Sequence, residues 1–209
     1  ISSQGELARA LATHLNSQGA EVTEVILGSE WKQAGAHQIQ LNPAHREQFD
    51  KLVAILGTAL RGYQGMLYVA DAAADADMTS TQLMQLQETL CGGLLHLVQA
   101  VTTTNGAGFP RLWVIGDNTT GNPQQALVNA ATVGLAKVIA TEYPELKCVR
   151  LEVSGATNAE VVLAEIAAEP GEDHVRLEAA QRSVLRLQEV DSARVAEDIA
   201  FKLKGDASY

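Results

Sequence analysis

Short apolar stretches typical of β-strands alternate along the chain with longer stretches of helical periodicity. The segments EVTEVILG, GMLYVADAA, PRLWVIGDN and LKCVRLEV are brief and largely apolar, as expected of strands buried in a parallel sheet. Leucines at helical spacing fill the stretches between them, as over residues 79–101. The alternation predicts parallel strands joined by right-handed crossovers. The predicted fold class is therefore α/β: a truncated, Rossmann-like, doubly wound and mostly parallel sheet with helices on both faces.

One boundary follows from this pattern. We expect residues 1–190 to form a Rossmann-like subdomain and the polar residues 191–209 to form a linker. The chain opens at what resembles the first strand-to-helix turn, with only Ile1 left of the strand before it. The first strand is central in this fold, and its loss would leave backbone groups on both neighbouring strands unpaired. We therefore expect the first strand to lie upstream of residue 1.

Composition narrows the classes of function. Apolar residues make up 46% of the chain, which favours folding, and the net charge of −10 disfavours binding to nucleic acid. No apolar run is long enough for a membrane span and no secretory signal is present, so we expect a cytoplasmic protein without a membrane partner. Cys91 and Cys148 are too few for a disulfide framework or a zinc site, and we expect two buried, reduced thiols.

The first turn is poor in glycine. A dinucleotide site needs glycines there so that the backbone can approach the pyrophosphate. The turn reads SSQGELA, in which only Gly5 fits, while Ser2 and Ala8 stand where the outer glycines would be. After the second strand, ILGSE supplies Glu30 and no arginine, so a ribose phosphate would be repelled. The sequence predicts no cofactor-binding residues and no metal ligands in this chain.

Two segments carry a resemblance to a known family. GNPQQALVNAAT, residues 121–132, is similar to the active-site segment of ketoreductases from modular polyketide synthases, which are of the short-chain dehydrogenase/reductase type. VGLAKVIATEYPEL, residues 133–146, resembles more specifically the segment found in the structural, pseudo-Rossmann half of those ketoreductases. The resemblance covers nearly the whole chain. It implies an N-terminal structural subdomain, with residues 191–209 leading towards a catalytic subdomain.

The resemblance also implies where reacting groups would lie. The family's proton-donating tyrosine falls on Val128 and its asparagine on Thr132. The carbonyl-polarising serine falls on Ile115 or Gly116, and the assisting lysine on Leu90. Valine has no proton to give and leucine cannot lower a neighbouring pKa, so a hydride reduction here would lack most of its transition-state stabilisation. We therefore predict no catalytic residues.

Two hypotheses from different classes follow. The first is a non-catalytic structural subdomain that supports an NADPH-dependent, β-ketoacyl-reducing half and neighbouring synthase domains of the same polypeptide, or that serves as a pseudo-ketoreductase spacer. NADPH is then expected only in the companion catalytic subdomain. The second is a free-standing NAD(P)-dependent short-chain reductase with an atypical site, which would bind cofactor measurably.

Several polar residues invite a functional interpretation, and for each a structural one is favoured. Lys137 is expected on a solvated helix face, Tyr143 at a packed helix end and His96 in a satisfied core or interface position. The segment DAAADAD, with Asp71, Asp75 and Asp77, lacks the glycine of a calcium loop and is interpreted as an acidic surface turn. The remaining histidines show no metal-ligand spacing: His14, His37, His45 and His174.

Overall fold

A computed structural model describes residues 1–72, 74–75, 77–104, 108–117, 123–154, 157–168, 171–179 and 181–189. The predicted linker, 191–209, lies outside the described residues. The helices are α1 (Glu6–Ser17), α2 (Arg46–Leu56), α3 (Ser80–Thr102), α4 (Pro123–Glu142) and α5 (Ala159–Ala167). The strands are β1 (Glu24–Leu27), β2 (Lys32–Gln33), β3 (Gln38–Leu41), β4 (Gly65–Ala70), β5 (Arg111–Asp117), β6 (Val149–Val153), β7 (His174–Glu178) and β8 (Gln181–Val184).

The strands form two groups, with the order β1-β3-β2 in one and β4-β5-β6-β7-β8 in the other. Ser2 joins them, because it makes parallel bridges to Ile26 of β1 and to Val69 of β4. All pairings are parallel except those of the outer strands, β2 with β3 and β7 with β8. The result is a mostly parallel, doubly wound sheet, which confirms the predicted fold class.

Two apolar layers cover the two faces of the sheet. Residues of α2, α3 and α4 pack with β1, β3, β4 and β5 in one layer, which includes the fully buried Phe49 and Tyr68. Leu11 of α1 and Val162 of α5 pack with β5, β6 and β7 in the other. Because successive side chains of a strand point to opposite faces, Val114 belongs to the first layer and Ile115 to the second.

Local signals explain most helix boundaries. Thr79 and Gln82 form a reciprocal capping box at the start of α3, and Asn158 caps α5 by accepting the amide hydrogen of Val161. The sequence predicts one helix through about Leu60, but α2 ends at Leu56 because Gly57 adopts a φ of +50°. A short 3-10 helix, Gly57–Gly62, follows it. The two-residue strand β2 carries too little pattern to be predicted.

Candidate functional site

The carboxyl ends of the parallel strands meet the first turns of α1, α3 and α4 at one edge of the sheet. Ligands of open α/β sheets bind at this edge, outside the strand ends. Four segments border it here: the turn 2–5, the segment after β4, the end of β5 and the first turns of α4. We call this edge the cleft edge.

The turn before α1 is closed by a side chain from another element. Gly5 precedes the helix and offers no side-chain cap, and Gln4 adopts a left-handed conformation with φ 62°. The Asp71 Oδ2 atom, from the segment after β4, accepts a hydrogen bond of 2.9 Å from the amide of Ala8. The prediction of an acidic surface turn is therefore wrong for Asp71, which is partly buried, while Asp75 and Asp77 are exposed.

The positions that the resemblance singles out are buried in the structure. Val128 and Leu90 are fully buried in the layer formed by α2, α3 and α4, called here the α2–α4 layer. Thr132, also buried, lies with its Oγ1 atom 3.8 Å from the Cys91 Sγ atom. Ile115 is fully buried in the opposite layer, against residues of β6 and β7. The aliphatic side chains of Val128, Leu90 and Ile115 have no group that could take part in proton transfer.

The structure instead brings Asn129 and Val133 over Gly116. A Cβ built on Gly116 would lie 3.6 Å from the Asn129 Cγ atom and 3.7 Å from the Val133 Cγ2 atom. Asn129 is 3% exposed, and within the described part of the chain neither its Oδ1 nor its Nδ2 atom has a hydrogen-bond partner. Sequence reasoning missed Asn129. Its one signal is the helical spacing that it shares with Val133.

Gln125 holds the segment after β4 against the start of α4. Its Oε1 atom accepts a 2.9 Å hydrogen bond from the Ala74 amide, and its Nε2 atom donates one of 3.1 Å to the Ala72 carbonyl. Gln125 is buried, so both contacts are shielded from water. A glutamine that satisfies two backbone groups in this way is a structural clamp. No pattern in the sequence distinguishes it from the exposed amides of the same helix.

Charged side chains on β6 and β7 lie in register with Gly116 of β5. Gly116 pairs with Glu152 of β6, and Glu152 pairs with Arg176 of β7. The Glu152 carboxylate accepts hydrogen bonds from His174 Nε2 and, at 3.0 Å, from Arg176. Burial alone would raise the pKa of Glu152, but the hydrogen bonds from Arg176 and His174 hold it below its usual range. The cluster is consistent with a structural ion pair, since the carboxylate is already occupied.

The other residues considered from the sequence have ordinary environments. Lys137 is exposed, and Tyr143 packs partly buried against the α2–α4 layer. His96 is partly buried; its Nδ1 atom lies 2.9 Å from the Pro43 carbonyl and its ring packs at an angle on Phe49, so it has a partner at the border of the core. Cys148 is buried as predicted, but Cys91 is only partly buried, because α3 presents it at the seam with α4.

Two further searches cover only the residues that the structure describes. Among them no group of three or more potential ligands is placed to hold a metal ion. No helix in this part of the chain has both the length and the apolar character needed to cross a membrane.

Comparison with solved structures relates the fold to ketoreductases. The chain is similar to a multidomain structure with adenylation, ketoreductase and pseudo-Asub domains from a keto acid-selecting NRPS module, with 18% identity and a TM-score of 0.70 over 87% of this chain and 16% of that one. It is also similar to an N-terminal ketoreductase from the macrolactin assembly line, with 16% identity and a TM-score of 0.68 over 91% of this chain and 40% of that one.

Single-domain dehydrogenases share the fold as well. A short-chain dehydrogenase/reductase from Brucella melitensis, described as a glucose/ribitol dehydrogenase, matches at 11% identity with a TM-score of 0.60 over 86% of this chain and 94% of that one. No protein-family model matches the chain, and no curated protein does. The chain spans less than half of each of the two ketoreductase-containing polypeptides. The chain therefore shares its Rossmann-like fold with these ketoreductase and short-chain dehydrogenase/reductase structures.

Proposed function

We propose that this chain is a non-catalytic structural subdomain of a polyketide synthase ketoreductase in the cytoplasm. Its role is to support an NADPH-dependent, β-ketoacyl-reducing subdomain of the same polypeptide. One observation carries the proposal: α4, the helix that borders the cleft edge, has a buried inner face without charges and an outer face that exposes large apolar side chains. Only Lys137 and Glu142 carry charge along its whole length.

The inner face of α4 argues against chemistry in this chain. Its residues at the cleft edge are Gln125, Asn129 and Val133, and Val128 lies in the core beside them. Neither an amide nor an aliphatic side chain can donate a proton to a developing alkoxide, as general acid catalysis requires. The Gln125 amide is also engaged with backbone groups and is not free to orient a substrate.

The outer face of α4 argues for docking. Exposed positions along it are Ala126, Leu127, Ala130, Gly134, Lys137 and Val138, with Leu127 52% and Val138 54% exposed. The surface continues onto α3, because Gln87 donates a 2.8 Å hydrogen bond to the Leu127 carbonyl and Met84, one turn earlier, is 59% exposed. A helix face that exposes large apolar side chains and carries little charge is typical of a surface that another protein element covers.

The proposed occupant of this face is the catalytic ketoreductase subdomain. The macrolactin ketoreductase is a polypeptide of which this chain covers 40%. A polypeptide of comparable length would have room for a second subdomain beside a unit like this one. Residues 1–190 would then be the structural subdomain and residues 191–209 the linker to its partner. Interfaces of this kind between domains of one chain are usually modest in area.

Cofactor binding and reductase activity test the first half of the proposal. We expect the purified 209-residue chain to show no thermal shift with NADPH and no reduction of a β-ketoacyl thioester. An NADPH-dependent rise in melting temperature of several degrees would support the free-standing reductase instead and would overturn the proposal.

Charged substitutions on the outer face of α4 test the second half. In a polypeptide that includes the catalytic subdomain, Leu127→Asp with Val138→Asp should lower ketoreductase activity at least roughly tenfold, because unpaired charges in an interface are costly. The control is Ile55→Asp, which introduces a negative charge at an apolar position of α2 that is 43% exposed and lies outside this face. Equal activity in the two variants would contradict docking through this face. If the full polypeptide contains no reducing subdomain, the chain would instead have the spacer role.

A further inference from the structure

The cap of α1 comes from outside the helix. A helix start leaves amide hydrogens without partners, and a side chain just before the helix usually satisfies one of them. Here Gly5 stands at that position and has no side chain to offer. Asp71, which follows β4, reaches across and accepts the Ala8 amide hydrogen at 2.9 Å. The first turn of this twelve-residue helix is thus bound to a carboxylate of its own chain.

Gly5 is required by the closeness of this contact and not by its backbone angles. Its φ of −62° is open to any residue. A Cβ on Gly5, however, would lie 2.3 Å from both the Cγ and the Oδ2 atoms of Asp71. The carboxylate therefore packs directly on the backbone of the turn. In a dinucleotide site, a glycine of this turn serves the same purpose, which is to let a phosphate approach the backbone.

The Asp71 carboxylate resembles an anionic ligand in its negative charge as well as in its position. The start of a helix attracts anions through its amide groups and its dipole. Burial raises the pKa of Asp71, while hydrogen bonds from the backbone of Ala8, Asp71 and Gly5 act in the opposite direction. Asp71 Oδ1 is buried without a partner among the described residues. A phosphate brought to this turn would meet both the bulk and the charge of the side chain.

We propose that Asp71 is the built-in occupant of the anion site at the start of α1 and the residue that excludes a phosphate group from it. The residues of this turn do not fit a dinucleotide for that reason, in addition to the shortage of glycine. The proposal does not depend on docking through α4, since it concerns only the turn 2–5 and the segment after β4. Under this proposal, removal of the Asp71 side chain alone should strengthen phosphate binding at this turn.

Titration with inorganic pyrophosphate tests the assignment, with binding followed by the amide resonances of Leu7 and Ala8. Asp71→Ser vacates the position, and Asp77→Ser is the matched control, because it removes the same charge from an exposed site six residues away. We expect the wild type and the Asp77→Ser variant to bind with Kd above about 10 mM, and Asp71→Ser to bind at least roughly tenfold more tightly. Shifts should be centred on Leu7 and Ala8.

Two results would overturn the proposal. One is saturable pyrophosphate binding by the wild type at Leu7 and Ala8, and the other is equal affinity in the two serine variants. If Asp71→Ser does not fold, Asp71→Asn keeps an acceptor for the helix and removes the charge. The Ala8 amide resonance should then move in Asp71→Asn and stay in place in Asp77→Asn, and an unmoved Ala8 resonance would contradict the contact. These readouts are independent of the ketoreductase assay, so failure here and failure of docking remain distinguishable.

Discussion

The two faces of α4 differ in how their side chains are used. On the inner face, Gln125 clamps two backbone groups, Val128 fills the core and Asn129 lies over Gly116. On the outer face, Leu127 and Val138 are about half exposed and contact nothing that would bury them. The inner face is buried, and its Gln125 and Asn129 amides cannot donate a proton to a developing alkoxide. The outer face exposes large apolar side chains at positions where a domain without a partner usually carries polar residues.

This difference indicates the kind of function that the helix serves. A catalytic helix must present a polar group to a cleft and can protect its other side with solvated residues. A supporting helix needs the opposite, namely a rigid inner side and an apolar outer side for a partner. The distribution in α4 resembles the second case, and it supports the proposed function for that reason.

The largest effect is expected from placing a tyrosine at the position that the resemblance assigns to the family's proton donor. Val128 is fully buried, so Val128→Tyr should lower the free energy of unfolding by about 3 kcal/mol through overpacking and should restore no reductase activity. The adjacent Leu127→Tyr lies on the outer face and should change it by less than about 0.5 kcal/mol. Urea denaturation measures both. Equal stability of the two variants would show that Val128 faces open space.

An intermediate effect should separate the two amides of the inner face. Gln125→Leu leaves the Ala72 carbonyl without this donor and should destabilise the protein by about 2 kcal/mol. Asn129→Leu removes a buried amide that has no partner among the described residues, and should stabilise the protein by about 1 kcal/mol. Thermal unfolding of the two variants side by side checks the difference in sign. A loss of stability in Asn129→Leu would mean that the amide is hydrogen-bonded in solution.

The smallest effect concerns the charged cluster beside Gly116. The pKa of Glu152 is lowered, so its contribution to stability is present above its unfolded pKa and is lost as the pH falls through the folded one. Glu152→Gln should therefore cost about 1 kcal/mol at pH 7, where the half-exposed Arg176 limits the gain, and nothing at a pH below the folded pKa. Stability curves across acidic pH measure the gap. The exposed Glu178→Gln is the control, and a gap that persists in acid would contradict the ion pair.

The fold was predictable because its signals are local. Among the residues that the structure describes, periodicity located the α-helices and the strands except β2, and the residues Thr79 and Pro123 marked helix starts. The order of alternating elements then restricts the topology to a parallel, right-handed arrangement. The end of α2 was less accurate, since a glycine with positive φ can interrupt a helix or sit within a continuing pattern.

The candidate site was only partly predictable. The shortage of glycine in the turn at Gly5 and the aliphatic residue at Val128 are visible in the sequence. The contact between Asp71 and Ala8 joins residues far apart in the chain, and so does the clamp between Gln125 and Ala72. Such contacts depend on which strand ends lie side by side. An aspartate in an alanine-rich turn therefore looked like a surface residue.

By itself, the sequence determined the class of fold, the aliphatic residue at position 128, and the low charge of α4. Tertiary structure alone decided that Asp71 closes the first turn, that Asn129 and not Val128 lies over Gly116, and that Leu127 and Val138 point outward. The physical reason is the sequence distance over which each feature is decided. Helix and strand periodicity depends on residues that are near one another in the sequence. Occupancy of a cleft depends on side chains that meet only after the sheet has assembled.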